Sequence, residues 1–234
     1  MANIIRSLKK RFKHWLIDRM FLFHGGDYQG QRYPKEKIDR IMTGVDLARV
    51  GSVLDIGCNE GLITKHFSEQ GKFCVGIDVA PYFLRGVLQD LHRGNTPAFG
   101  VFNLERRNIE LLPPFDLVLL LSVHHWWVKA HGDAHARDMV AALLDRTNHY
   151  LVMEFSSIAD KYGYSEPKFI DHDESSIKEY ASAWLKQIDS TLAITYLGRN
   201  KETEGRERFR YIFLVSKSGE DSRADNGRMV NNIR

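Results

Sequence analysis

Asp55 and Asp78 each stand at or near the end of a short apolar stretch, where a carboxylate can meet a ligand. The first lies within Val53-Leu54-Asp55-Ile56-Gly57-Cys58-Asn59-Glu60-Gly61, an apolar run that stops abruptly in small and polar residues. A glycine turn of this kind lets a ligand approach the backbone at the carboxyl end of a parallel strand. The second acid follows Phe73-Cys74-Val75-Gly76-Ile77 and is placed to accept hydrogen bonds from ribose hydroxyls. The dinucleotide fingerprint G-x-G-x-x-G is absent, because after Gly57 its next glycines would fall on Asn59 and Leu62. The combination points to a nucleoside that carries an amino acid.

Further along, the run from Leu121 to Asp133 holds His124, His125, Trp126 and His131, and His135 follows closely. A histidine here suits a general base for a hydroxyl acceptor. Against an anionic acceptor it would instead serve as a hydrogen-bond donor. His131 and His135 are spaced i, i+4, as zinc ligands on one helix face are. No cysteine or well-placed carboxylate pair completes such a set, so no metal is expected. Glu154 either lines the pocket or hydrogen-bonds a loop. Arg210 lies in the last apolar stretch, either facing a ligand or as a surface charge of a hairpin.

The elements that must position these residues alternate. A helix over 35–49 runs from Pro34 towards Gly51 and precedes the first strand. A helix over 60–70, a strand over 73–78, a helix from Pro81 to His92 and a strand from Ala98 to Phe102 come next. Residues 115–122 are almost wholly apolar, as a central parallel strand is. A helix over 134–146, a strand over 149–155 and a helix over 175–187 lead to an antiparallel hairpin of strands 191–197 and 209–216. This is an α/β pattern, five βα-type strands with a terminal hairpin. The domain is expected over residues 25–218, between a helix over 1–24 and a polar, aperiodic tail over 219–234 that reads as disordered.

The glycine turn and the two acids resemble the first two motifs of class I S-adenosylmethionine-dependent methyltransferases. The resemblance implies a Rossmann-like sheet of seven strands with helices on both faces, and S-adenosylmethionine as cofactor. It places cofactor contacts at Asp55, Gly57, Cys58, Asn59, Gly61, Asp78 and Val79, at Asn103 and Leu121, and at Tyr28 and Arg32 before the first core helix. Two narrower likenesses follow from the histidine run and the last strand. In the methyltransferase domain of bacterial O-antigen chain-terminating enzymes, which methylate a phosphate on a glycan end, Leu-Ser-Val is followed by two histidines and then His-Gly. His125, His131 and Gly132 match that run, and Trp126 replaces its second histidine. The bicoid-interacting family of RNA 5′-phosphate methyltransferases, which includes the methylphosphate capping enzyme, is similar at Leu121-Ser122, Trp126 and Gly132-Asp133. Both groups end in an Arg-Pro-hydrophobic-Tyr-Leu strand, against which Arg210–Leu214 aligns with Tyr211 in place of proline. The likeness covers roughly residues 50 to 217. It implies O-methyl transfer, with His124 or His125 as a base and Arg210 holding a phosphate. Arg32, His125, Trp126, His131, Glu154 and Arg210 would meet the substrate.

Composition narrows the partner. The chain has 234 residues and a net charge of +3, yet residues 1–24 hold six Lys or Arg against one acid, so the remainder sums to −2. A body without excess positive charge speaks against gripping a long nucleic acid. RNA is therefore the less favoured acceptor, and a phosphorylated glycan or lipid-linked saccharide the favoured one. Residues 3–23 place Ile5, Leu8, Phe12, Trp15 or Leu16, Arg19 or Met20, and Phe23 near one helical face with Lys and Arg over much of the rest. Such a helix lies on a membrane surface or packs its apolar face on the domain. With no apolar run long enough to span a bilayer, no secretory signal, and Cys58 and Cys74 in strand regions, a cytoplasmic protein is expected, peripheral on the inner membrane face if the helix binds there. A reading of another class is a methyltransferase-like binding module without turnover at a membrane assembly.

Overall fold

The computed structural model describes residues 34–81, 97–156, 174–201 and 209–217. The helix expected over 1–24, Tyr28, Arg32, the helix from Pro81 to His92 (Pro81 aside) and the tail 219–234 lie outside the described residues.

Helix α1 (Lys35–Gly44) buries Ile38 and Ile41 against the sheet. Val45 leaves it in an extended conformation, so the helix expected to reach residue 49 stops at Gly44. A single 3-10 turn, Leu47–Arg49, follows, capped by the Asp46 side chain accepting from Ala48 N. Then come β1 (Ser52–Ile56), α2 (Leu62–Glu69), β2 (Phe73–Asp78), β3 (Ala98–Val101), α3 (Arg106–Ile109) and β4 (Phe115–Leu120). The remainder is α4 (His124–His131), α5 (Asp133–Asp145), β5 (Thr147–Ser156), α6 (Glu174–Lys186), β6 (Leu192–Lys201) and β7 (Phe209–Lys217). Helices α3 and α4 answer to no element expected from the sequence.

All seven strands form one sheet in the order β3-β2-β1-β4-β5-β7-β6. Strands β1 to β5 are parallel, and β7 runs antiparallel between β5 and β6. The hairpin is as expected, with its second strand inserted next to β5. The strand order reverses between β1 and β4, which opens a crevice at their carboxyl ends where α/β sheets take ligands.

Both faces of the sheet are covered, which is why β4 is apolar apart from Asp116 near its start. Val53, Leu117, Leu119, Val152 and Ile212 pack with α1 and α2 on one face. Leu54, Val118, Leu120, Met153 and Phe213 pack with Val128, Met139 and Trp184 of α4, α5 and α6 on the other. Asp55, Glu154 and Arg210 alternate onto the first of these faces, at its upper edge, because side chains two apart on a strand share a face. The opposite end is tied by Asp116, whose Oδ2 accepts from Gly51 N at 2.8 Å and Ser52 N at 3.0 Å.

Candidate active site

The turn between β1 and α2 is built on three left-handed residues, Gly57 (φ 72°), Asn59 (φ 51°) and Gly61 (φ 73°). Gly57 N and Cys58 N both donate to Ile77 O, at 2.8 and 3.1 Å, which closes the turn against β2. Asp78 finishes the closure: its Oδ2 accepts from Asn59 N at 2.8 Å and its Oδ1 from Ala80 N at 3.2 Å. Burial raises the Asp78 pKa from its ordinary value, against the pull of those backbone donors. The backbone donors of Asn59, Ala80 and Val79 take three of the four lone-pair sites of the carboxylate, so Asp78 retains capacity for a ribose hydroxyl.

Asp55 faces beneath the turn, where its Oδ2 accepts from Thr64 Oγ1 at 2.6 Å and so fastens α2 to β1. Burial pushes its pKa from 3.8 up to about 6. Cys58 is buried as a thiol whose pKa burial raises, and burial pushes Cys74 up to about 12. Asn59 Oδ1 is buried without a hydrogen-bond partner, in the middle of the turn. Such an acceptor calls for a donor, and the hydroxyl, amine or amino N–H of a nucleoside-amino-acid cofactor fits it. The ring of Phe99 lies against Gly61 and Gly76, where an added Cβ would meet it at 2.5 and 2.6 Å. Val79 and Asn103 are exposed at the rim beyond β2 and β3. Leu121 is packed in the core, with its carbonyl oxygen beside Gly57.

Across the crevice, Ser122 leaves β4 with φ 60°, an uncommon conformation for a residue with a side chain. Its Oγ donates to Glu154 Oε2 at 2.7 Å. The wholly buried Glu154 also holds the Lys37 ammonium, at 2.9 Å from Oε1 and 3.2 Å from Oε2. Burial alone would raise the Glu154 pKa, but Lys37, Arg210 and Ser122 together hold it below the usual carboxylate range. Arg210 pairs opposite Ser156 and is 6% exposed. Its Nη1 lies 3.0 Å from Nδ1 of His125, itself 1% exposed. A guanidinium offers only donors, so Nδ1 accepts and the imidazole proton resides on Nε2.

The structure thus brings His125, Arg210 and Glu154 together and adds Lys37 and Ser122, to which the sequence reading assigned no role. It sends two other histidines elsewhere. His124 is 0% exposed, with its ring 4.8 Å from Phe155 and 4.7 Å from Trp184 between centroids. Burial there lowers its pKa to about 3. The expectation of His124 as a base is corrected: it is a neutral packing residue of the core. His131 is exposed at the far end of α4, about 9 Å along the helix from His125 by the rise per residue. Gly132, at φ 85°, separates α4 from α5, so His131 and His135 occupy different helices although their rings lie 4.6 Å apart. The shared helix face that their spacing allows is absent. Trp126 is 44% exposed, its ring 5.5 Å from His125 and overlain by the Lys129 ammonium at 5.2 Å.

A turn fit for a nucleoside cofactor therefore lies across the switch point from a buried cationic and hydrogen-bonding cluster. Residues 54–151 match the family model described as a methyltransferase domain. Among solved structures, the chain is similar to the bifunctional kinase-methyltransferase WbdD at 22% identity, with a TM-score of 0.61 over 79% of this chain. It spans only 40% of that protein's length. It is also similar to magnesium protoporphyrin IX methyltransferase from Synechocystis PCC 6803 with bound S-adenosylmethionine, at 20% identity and a TM-score of 0.52, covering 88% of this chain and 91% of that one. The N-methyltransferase NodS from Bradyrhizobium japonicum WM9 is similar at 14% identity and a TM-score of 0.53, over 80% and 89% of the two chains. No curated protein matches by sequence. The likeness to these structures is one of fold, the Rossmann-like methyltransferase sheet. With the family match it supports a class I methyltransferase, the class whose cofactor is S-adenosylmethionine.

Proposed function

We propose that the protein transfers a methyl group from S-adenosylmethionine to an oxygen of a phosphate monoester carried on a glycan or lipid-linked saccharide. The observation that carries this reading is the contact between Arg210 Nη1 and His125 Nδ1. It occupies the one basic nitrogen of the imidazole, so His125 is a donor and does not serve as a general base. A hydroxyl acceptor would want a base, whereas a phosphate oxygen is already anionic and needs only to be held.

The cofactor supplies an electrophilic methyl on a sulfonium. A phosphate lone pair forms the new O–C bond while the C–S bond breaks and its electron pair stays on sulfur. No proton has to leave. Asp78, Asn59 and the Gly57 turn orient the donor, while Arg210 and His125 hold the acceptor; much of the rate enhancement is positioning. The resemblance of the strand-four run to phosphate-methylating enzymes supports the same acceptor. RNA 5′-phosphate shares that chemistry and is ranked second, since the charge outside residues 1–24 sums to −2. A cytoplasmic enzyme touching the inner membrane face through residues 1–23 would meet a lipid-linked saccharide where it is made. Among the described residues no helix is long and apolar enough to cross a membrane.

The test is methyl transfer from labelled cofactor into separated lipid, polysaccharide and RNA fractions, before and after phosphatase treatment. Label is expected in the saccharide fractions and lost on dephosphorylation of the acceptor. Methylation that survives complete dephosphorylation would rule the reading out. Arg210→Lys is expected to lower turnover with little change in cofactor affinity, because an ammonium cannot reproduce the guanidinium fork.

A further inference from the structure

We propose that Lys37 is a second cationic ligand of the anionic acceptor, held in place by Glu154 beside the Arg210–His125 pair. The proposal rests on the reading above, in which the acceptor oxygen belongs to a phosphate.

Lys37 lies four residues before Ile41 on α1, so both occupy the face turned to the sheet. Where that face reaches the crevice, a lysine takes the place of another aliphatic residue. Only 13% of its side chain is exposed, and its ammonium rests on a carboxylate that is fully buried. A buried ion pair is a poor device for stability, since an apolar pair of similar volume serves as well or better. Its position gives it another use. Glu154 is tied to the end of β4 through Ser122 and feels the field of Arg210 as well as that of Lys37. One carboxylate therefore stands between cations from two walls of the crevice, α1 and β7.

The ammonium has three N–H donors, and its described contacts are with the two Glu154 oxygens. A phosphate monoester has three terminal oxygens. When one faces the methyl group, Arg210 and Lys37 would take the other two. The acceptor side of the crevice is favoured because Glu154, which holds the ammonium, also accepts from Ser122 at the start of the run that follows β4.

The experiment is calorimetric titration of methyl phosphate into the full chain with S-adenosylhomocysteine bound. Lys37→Met alone would strand Glu154 as a buried charge and risk unfolding, so the informative variant is Lys37→Met with Glu154→Gln, whose amide keeps an acceptor for Ser122. This double variant is expected to bind methyl phosphate about tenfold or more weakly, with S-adenosylhomocysteine affinity within about threefold of the natural chain. Lys37→Arg is expected to retain both ligands. If the double variant binds methyl phosphate as the natural chain does, Lys37 only neutralises Glu154 and the proposal falls. If it loses S-adenosylhomocysteine instead, the ammonium belongs to the cofactor and the proposal also falls. A natural chain that binds S-adenosylhomocysteine but no methyl phosphate overturns the phosphate reading itself, a failure distinct from the other two.

Discussion

Asp55 places its carboxyl wholly inside the protein, with Thr64 Oγ1 as its hydrogen-bond donor. A folded-state pKa raised to about 6 means the folded protein favours the protonated acid. Below the ordinary value of 3.8 the group is neutral in both states and exacts no penalty. As pH rises from there through about 6, the folded state must bury a charge, at a limiting cost of about 3 kcal/mol. Asp55→Asn, which keeps an acceptor for Thr64, is therefore expected to raise the melting temperature at pH 7.5, with the gain fading towards pH 4. Thermal unfolding of both proteins across that range is the check, and a difference independent of pH would contradict it. That Asp55 and Asp78 matter was legible from their places at strand ends. That Asp55 turns under the turn while Asp78 closes it from the side was not, because strand alternation and the path of α2 decide it. His124 and His125 are identical neighbours in the sequence. A helical step of roughly 100° sends one to Phe155 and Trp184 and the other to Arg210.

At the scale of elements, the β1–α2 turn and the β4–α4 turn are built against each other. A Cβ on Gly57 would lie 2.4 Å from Val123 Cγ2, just after Ser122 with its positive φ. The sequence places a ligand over Gly57; the structure places a neighbouring turn there first. Gly57→Ala is therefore expected to lower stability by roughly 1–3 kcal/mol through both the clash and the left-handed backbone. Val123→Ala in the same chain should restore the part due to the clash and leave the backbone part. A double-mutant cycle by denaturant unfolding measures the coupling, and strict additivity would show that the two turns do not press on each other. Helix α4 is not legible in the sequence, for a related reason. Its buried residues are His124, His125 and Val128, and histidines do not register as an apolar stripe. Helix α6, with Ile177, Ala181, Trp184 and Leu185 inward, shows the stripe plainly and agrees with the expected 175–187 to within a residue at each end. Lys37 was hidden in the opposite way, inside an ordinary amphipathic helix whose buried face it shares.

At the scale of the molecule, alternation of short apolar runs with helical periods was enough to give five parallel strands and a terminal hairpin, because both faces of such a sheet must be covered. Which strand of the hairpin docks on β5 cannot be read from spacing, since either order satisfies the same pattern. What the fold leaves to explain is charge. Six of the 33 Lys and Arg lie in residues 1–24, and the rest of the chain sums to −2. If that segment serves as a basic amphipathic anchor, its affinity for vesicles containing anionic lipid should fall as salt rises, and Trp15→Glu or Phe12→Glu should weaken it further. Those changes would then leave the melting temperature of the domain unmoved, since the side chains involved would sit in lipid and not in the core. If the segment packs on the domain instead, the same substitutions should lower the melting temperature, and vesicle binding should be negligible for every variant. Liposome flotation at two salt concentrations, run beside thermal unfolding of the full chain, separates the two. Flotation of the natural chain that is salt-sensitive and lost in Trp15→Glu, with unfolding unchanged, is the expected result.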